Sequence, residues 1–312
     1  MAETKALLIV NRHSRSGTGD LSPALEVLAT NGIRVIEREC NRSHEVPAVI
    51  RGECANVDLV ILAGGDGTMN AASEALVECR LPFGILPTGT ANDLARTLQI
   101  PTDLAEAAAV ITGGRRHAID LGWVNGKHFF NAASVGLAAE IVRHHTAERK
   151  RRFWIFAYVL SVRDAYRTTR PFRARLRCDG RELRLRAIQI TVGNGRHYGG
   201  GMTVTEDAAI DDGWLDVYCL KPGSFWRLLT LFPALRLGRL RRTKAVHVMR
   251  GRVIELITRR PMPINTDGEL TMTTPAEFRV VPRALEVFVP ASYQSMRKDD
   301  GPAAERVADR VA

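Results

Sequence analysis

The segment Gly64-Gly65-Asp66-Gly67-Thr68 directly follows the apolar run of residues 58–63 and opens onto the helix-patterned residues 69–76. A glycine corner between a buried strand and a helix N-terminus leaves main-chain N–H groups unpaired. The helix field there favours anions, and without Cβ atoms a phosphate can come close. The corner therefore predicts an α/β layer with a nucleotide as ligand, although by itself it also fits an ordinary tight turn.

Further short apolar runs at residues 6–10, 33–36 and 83–86 alternate with helical patterns, so residues 1–115 read as an open α/β domain. Three of the strands end in turn-rich segments: residues 11–19 with Asn11 and Ser14, the Gly64 corner, and residues 87–93 with Gly89 and Thr90. Ligands of open sheets bind beyond the carboxyl ends of strands, so these loops are expected to share one crevice. In the third loop Gly89 offers backbone, Thr90 a hydroxyl, and Asn92-Asp93 a helix cap. The lysine-bearing pattern of a P-loop does not occur.

After Gly113-Gly114 the pattern changes to period two, and residues 116–290 read as a mostly antiparallel β domain. Strands are expected at 128–135, 188–192, 214–220, 253–257 and 284–289. Residues 172–186 form a hairpin pattern about Asp179-Gly180, with Arg173, Arg175, Arg177, Arg184 and Arg186 on one face. That face reads either as the wet side of a sheet or as a lipid headgroup contact. Residues 291–312 read as a polar tail.

Residues 149–160 and 224–242 join aromatic and aliphatic side chains to clustered arginines. The apolar part of the first is roughly ten residues, against the ~20 that cross a bilayer, so only interfacial contact is open to it. The second reads as a surface helix near a lipid entrance or as a core helix with snorkelling arginines.

The net charge of +10 calls for a polyanionic partner: nucleotide phosphates, nucleic acid or an anionic lipid surface. No nucleic-acid-binding signature accompanies it, so nucleic acid is not expected. The five cysteines are scattered without a paired spacing, which argues against disulfides and zinc. Neither metal-binding histidine spacing nor a nucleophile elbow is present. With no signal-peptide pattern and no spanning run, a cytoplasmic protein is expected.

Four motifs in order, Gly64 to Thr68, residues 87–95, Asp211-Asp212-Gly213-Trp214 and Asn265-Thr266-Asp267-Gly268-Glu269, resemble the diacylglycerol kinase catalytic family, and within it the soluble bacterial lipid kinases. The resemblance implies an α/β ATP domain facing a β-sandwich domain, with NAD kinase-like architecture. A lipid hydroxyl would take the γ-phosphate of ATP in the cleft between them. It assigns Gly64, Gly65, Asp66, Gly67, Thr68, Asn70, Gly89 and Thr90 to the nucleotide, with Asn11 and Ser14 aligning more loosely. Glu269 would be the base, with Asp267 beside it. Asp212 with the carbonyls of Ala209 and Trp214 would hold Mg²⁺, a cation suited to hard oxygen ligands, and Asp120 would join the same network.

Two positions depart from the family pattern: Ala71 stands where a glutamate is usual, and the first loop begins Asn11-Arg12-His13. Both bear on nucleotide affinity or subfamily. The partners implied are a membrane lipid and the anionic inner membrane face, where the protein would be peripheral, and a homodimer remains open. The rival readings are a soluble kinase of the NAD kinase type and a non-catalytic lipid or nucleotide sensor.

Overall fold

The computed structural model describes residues 3–11, 20–144, 163–203, 208–239 and 243–295. Its first layer is built from β1 (Thr4–Val10), α1 (Ser22–Thr30), β2 (Ile33–Glu39), α2 (Val46–Glu53), β3 (Leu59–Gly64), α3 (Asp66–Cys79), β4 (Phe83–Pro87), α4 (Asp93–Thr97) and α5 (Leu104–Gly113). The strands run parallel in the order β2-β1-β3-β4. Residues 6–10 and 59–64 are buried throughout. Strands covered on both faces need continuous apolar runs, which is why no alternation shows in their sequence. Helix α1 packs with α5, and α2 with α3.

The chain then continues through β5 (Arg115–Val124), β6 (Lys127–Phe129), β7 (Ala132–Gly136), α6 (Leu137–His144), β8 (Phe172–Cys178), β9 (Arg181–Ala187), β10 (Gln189–Gly193), β11 (His197–Tyr198), β12 (Met202–Thr203) and β13 (Leu215–Leu220). A helix at Phe225–Arg236 follows, then β14 (Val246–Gly251), β15 (Val253–Thr258), β16 (Pro263–Thr266), β17 (Glu269–Thr273) and β18 (Ala276–Val289). A six-stranded antiparallel sheet, β14-β13-β10-β7-β16-β17, faces the β15-β8-β9 end of the larger sheet. Val135, Ile190, Val217 and Ile264 from one side and Leu176, Ile254, Leu256 and Phe278 from the other fill the space between them. The result is the expected sandwich.

Strand β18 links the two cores. Its first half pairs with β15 and with the end of β5, while Val287 sits beside Phe83 of β4. Leu285, Val287, Phe288, Val289 and Tyr293 belong to the core of the first layer.

The β8–β9 hairpin forms as its alternation predicts, with Asp179 at φ 45° and Gly180 at φ 84° in the tight turn. Its arginines lie on the wet face, where Arg177 pairs with Glu255 at 3.2 Å and Arg184 with Glu182 at 2.8 Å. The continuous strand expected over 128–135 is interrupted at Phe130-Asn131. The amides there are spent on the Asp267 carboxylate instead of a ladder. Of the segment at 224–242, residues 225–236 are helical with Pro233 inside. Leu228, Leu231 and Ala234 pack inward, whereas Trp226 is 74% exposed. The arginine-rich segment at 149–160, Ser14 and most of the 291–312 tail lie outside the described residues.

Candidate active site

Three strand ends of the first layer meet, as their turn signals predict. Asn11, just past β1, donates its side-chain amide to the Thr68 hydroxyl at 3.0 Å. Thr88, past β4, donates its amide to the Gly64 carbonyl at 3.2 Å. Asp66 accepts the amide of Leu94 at 3.1 Å, so the N-terminal turn of α4 is capped from the first residue of α3.

That arrangement corrects the expected cap. Asn92 is in the left-handed region at φ 49° and makes no side-chain cap; its Oδ1 instead accepts the Gly89 amide at 3.0 Å and braces the loop. Asp93 turns away to accept the amide of Gly200 at 2.8 Å. Burial, with Asp66 nearby, pushes the Asp93 carboxyl up to about 6. The Gly199-Gly200-Gly201 turn that supplies this amide has all three residues at positive φ and carries no recognised motif. Three successive glycines were its available signal.

The glycines of the corner divide by purpose. A Cβ at Gly64 would lie 2.4 Å from the Thr68 hydroxyl oxygen, and one at Gly89 would lie 2.4 Å from the Gly65 Cα. Internal packing therefore demands these glycines, whatever the ligand. A Cβ at Gly67 meets nothing within 4 Å, so this position faces open space. Asn70 on α3 is buried, and neither its Oδ1 nor its Nδ2 has a hydrogen-bond partner among the described residues. An unsatisfied buried polar group costs about 1–3 kcal/mol, so a polar ligand beside the corner fits what these residues leave unmet. Thr90 is exposed, and Ala71 is half-buried against the first core.

From the second core, the turn at Asp267 is docked toward the same helix. The Asp267 carboxylate accepts the amides of Phe130 at 2.7 Å, Asn131 at 3.0 Å and Ala132 at 3.0 Å. Burial pushes this carboxyl up to about 7 against the three donors, and the field of Asp66 adds to the rise. Two residues before that corner, the His128 amide donates to Glu74 of α3 at 2.8 Å, and the His128 ring lies 2.8 Å from the other Glu74 oxygen. Burial would raise the Glu74 carboxyl, but its bonds to His128 outweigh that and hold it low. Glu269 opens β17 half-exposed, 3.3 Å from Lys127 Nζ. Glu74 and His128 were not legible as site residues, because one acid on a helix flank and one lone histidine carry no motif.

The Asp211-Asp212-Gly213 loop is held from two sides. Asp120 accepts the Gly213 amide at 2.6 Å and the Arg283 amide at 2.8 Å, and Asp211 lies 2.7 Å from His117 Nε2. Asp212 accepts the Trp214 amide at 3.0 Å and pairs with Arg250. Burial raises Asp212 to about 7 despite Arg250, with Asp216 and Asp120 adding to the rise. Among the described residues no cluster of three or more acidic, histidine or cysteine side chains stands ready for a metal. Of the three expected ligands Asp212 brings the side-chain oxygen, while Ala209 is buried and Trp214 half-buried. The surplus of acids around one arginine suits a hard cation whose remaining ligands are carbonyls and water.

The family model described as the diacylglycerol kinase catalytic domain matches residues 5–124, and that of the YegS C-terminal NAD kinase beta sandwich-like domain matches residues 131–289. The chain belongs to the diacylglycerol kinase catalytic family. Its membership places it among the lipid kinases. A diacylglycerol kinase of Mycobacterium tuberculosis (strain CDC 1551 / Oshkosh) is 30% identical over 275 residues, covering 86% of this chain and 88% of its own. A "Probable lipid kinase YegS-like" of Enterobacter sp. (strain 638) is 30% identical over 304 residues, covering 94% of this chain and 98% of its own. The fold matches a crystal structure of a diacylglycerol kinase from Bacillus anthracis str. Sterne with TM-score 0.72 at 22% identity, covering 94% of this chain and 98% of that one. For this family member no described helix is long and apolar enough to cross a membrane.

Proposed function

We propose that this lipid kinase moves the γ-phosphate of ATP to a hydroxyl of diacylglycerol or a related membrane lipid. The observation that carries the reading is the tether of the Asp267-Gly268-Glu269 turn, through residues 128–132, to the helix that begins at the glycine corner. One helix thus supports the phosphate-side loop at its N-terminus and the acidic turn on its flank.

In this reading Thr68, Asn70, Gly67 and Thr90 bind and orient the phosphates. The lipid hydroxyl oxygen attacks the terminal phosphorus, Glu269 takes the hydroxyl proton, and the bond to the leaving ADP breaks. Phosphoryl transfer asks mainly for alignment and charge neutralisation, so a half-exposed carboxylate suffices as base. Lys127 holds that carboxylate in place, and Asp267 fixes the turn. Mg²⁺, when bound, supplies charge neutralisation for the phosphates or order for the interdomain loop. Asp212 with the Ala209 and Trp214 carbonyls would hold it, in competition with Arg250. The charge of +10 and the exposed Trp226 support a peripheral position on an anionic inner membrane surface.

Labelled ATP supplied with mixed vesicles containing diacylglycerol tests the reading. Transfer to lipid, lost in Glu269→Ala while nucleotide binding persists, is the expected outcome. Transfer to NAD with none to lipid would overturn it.

A further inference from the structure

A basic pocket lies apart from the glycine corner. It encloses about 80 Å³ and is lined by Arg96 and Thr97 of α4, by Arg196 and His197 at the start of β11, and by Ala209 and Tyr293. None of the residues from Gly64 to Asn70 lines it, nor do Gly89 or Thr90. No lining residue is acidic.

Arg196 is the telling member. It is half-buried, and its Nε is fully enclosed without a hydrogen-bond partner among the described residues. A guanidinium cannot shed its proton, and an enclosed N–H left without an acceptor is costly. Arg96 brings a second guanidinium to the same space, its Nη2 only loosely held by the Ala91 carbonyl at 3.4 Å. Burial and these two arginines hold His197 down to about 4, so its ring is neutral at pH 7 and stays 3.2 Å from the Thr97 hydroxyl. The pocket thus offers two guanidinium groups that stay charged, neutral polar groups and room for a tetrahedral oxyanion, since about 10–15 Å³ of such space already holds one water.

We propose that this pocket is a second phosphate-binding site, in which Arg196 and Arg96 clasp the phosphate of an anionic phospholipid headgroup or free phosphate. Planar guanidinium forks suit phosphate oxygens. Because the walls come from α4 of the first core and β11 of the second, an occupant would brace the two against each other. The site stands or falls without the phosphoryl-transfer reading.

The test uses the full chain without ATP. Inorganic phosphate is titrated calorimetrically into the native protein, Arg196→Gln, Arg196→Lys and Thr68→Ala, each checked by circular dichroism. Saturable binding that weakens about tenfold or more in Arg196→Gln, and less in Arg196→Lys, supports the site. Loss in Thr68→Ala with none in Arg196→Gln would assign phosphate to the glycine corner and overturn it. In a second arm, flotation with phosphatidylcholine vesicles is compared with and without phosphatidylglycerol. Arg196-dependent flotation identifies the headgroup as the source, and Arg196-dependent titration without it identifies free phosphate. Absence of Arg196 dependence in both arms overturns the proposal.

Discussion

Gly65 and Gly89 meet backbone to backbone: a side chain on Gly89 would put its Cβ 2.4 Å from the Gly65 Cα and 2.5 Å from Asn92 Oδ1. Gly89→Ala is therefore expected to push the two loops apart, at about 1–3 kcal/mol of stability, and to abolish nucleotide binding. Gly67→Ala is the informative contrast. Its Cβ meets open space, so stability is held or raised by up to about 1 kcal/mol while nucleotide affinity falls. Thermal unfolding and ADP titration check both, and unchanged affinity in Gly67→Ala would remove the phosphate from that face.

Glu269 and Asp267 should fail in different ways. Glu269 is half-exposed with one lysine contact, so Glu269→Gln keeps the fold and the KM for ATP while kcat drops about 100-fold or more. Asp267→Asn cannot accept all three amides with a carboxamide, so it loses about 1–3 kcal/mol of stability as well as activity. Steady-state kinetics beside urea unfolding separate the two.

Glu74 is expected to act by positioning the Asp267 turn. Glu74→Ala removes the His128 amide's acceptor and the close ring contact and frees the corner that carries the Asp267 turn, which is expected to lower kcat with little change in ATP affinity and to cost about 1–3 kcal/mol. Glu74→Gln still presents an oxygen to the His128 amide, so it should recover part of both losses.

The raised Asp212 carboxyl gives a pH signature. Its folded value of about 7 exceeds the ordinary 3.8, so between those values the folded chain binds more proton than the unfolded one. This group's contribution to stability therefore falls as pH rises across that window and is level above it. A metal ligand must be deprotonated, so added Mg²⁺ should raise the Tm more at pH 8 than at pH 6. Asp212→Asn should erase that difference; an equal Mg²⁺ effect at both pH values would count against the site.

The architecture was legible because burial writes itself into sequence: residues 6–10 and 59–64 had to be apolar throughout, and the β8–β9 hairpin had to alternate. The glycine corner was legible from its place between a buried run and a helix pattern, whereas the Asp267 turn and the Asp212 loop, each no more than an ordinary Asp-Gly turn taken singly, were legible only through the order of the four motifs that resembles the diacylglycerol kinase family. Side chains joining distant segments were not. Glu74 with His128, Asp93 with Gly200 and Arg196 beside Arg96 are separated by 54, 107 and 100 positions, and each looks ordinary in its own neighbourhood. The break at Phe130-Asn131 was hidden for the same reason, since its cause lies in a carboxylate far along the chain.

Because β18 lends Leu285, Val287 and Val289 to the first core, the amino-terminal α/β layer is not an autonomous building block. A ribosome releasing this chain would expose an incompletely covered Phe83 edge until β18 had emerged. Gene fragments ending near residue 115 should yield insoluble product unless the β18 peptide is supplied alongside.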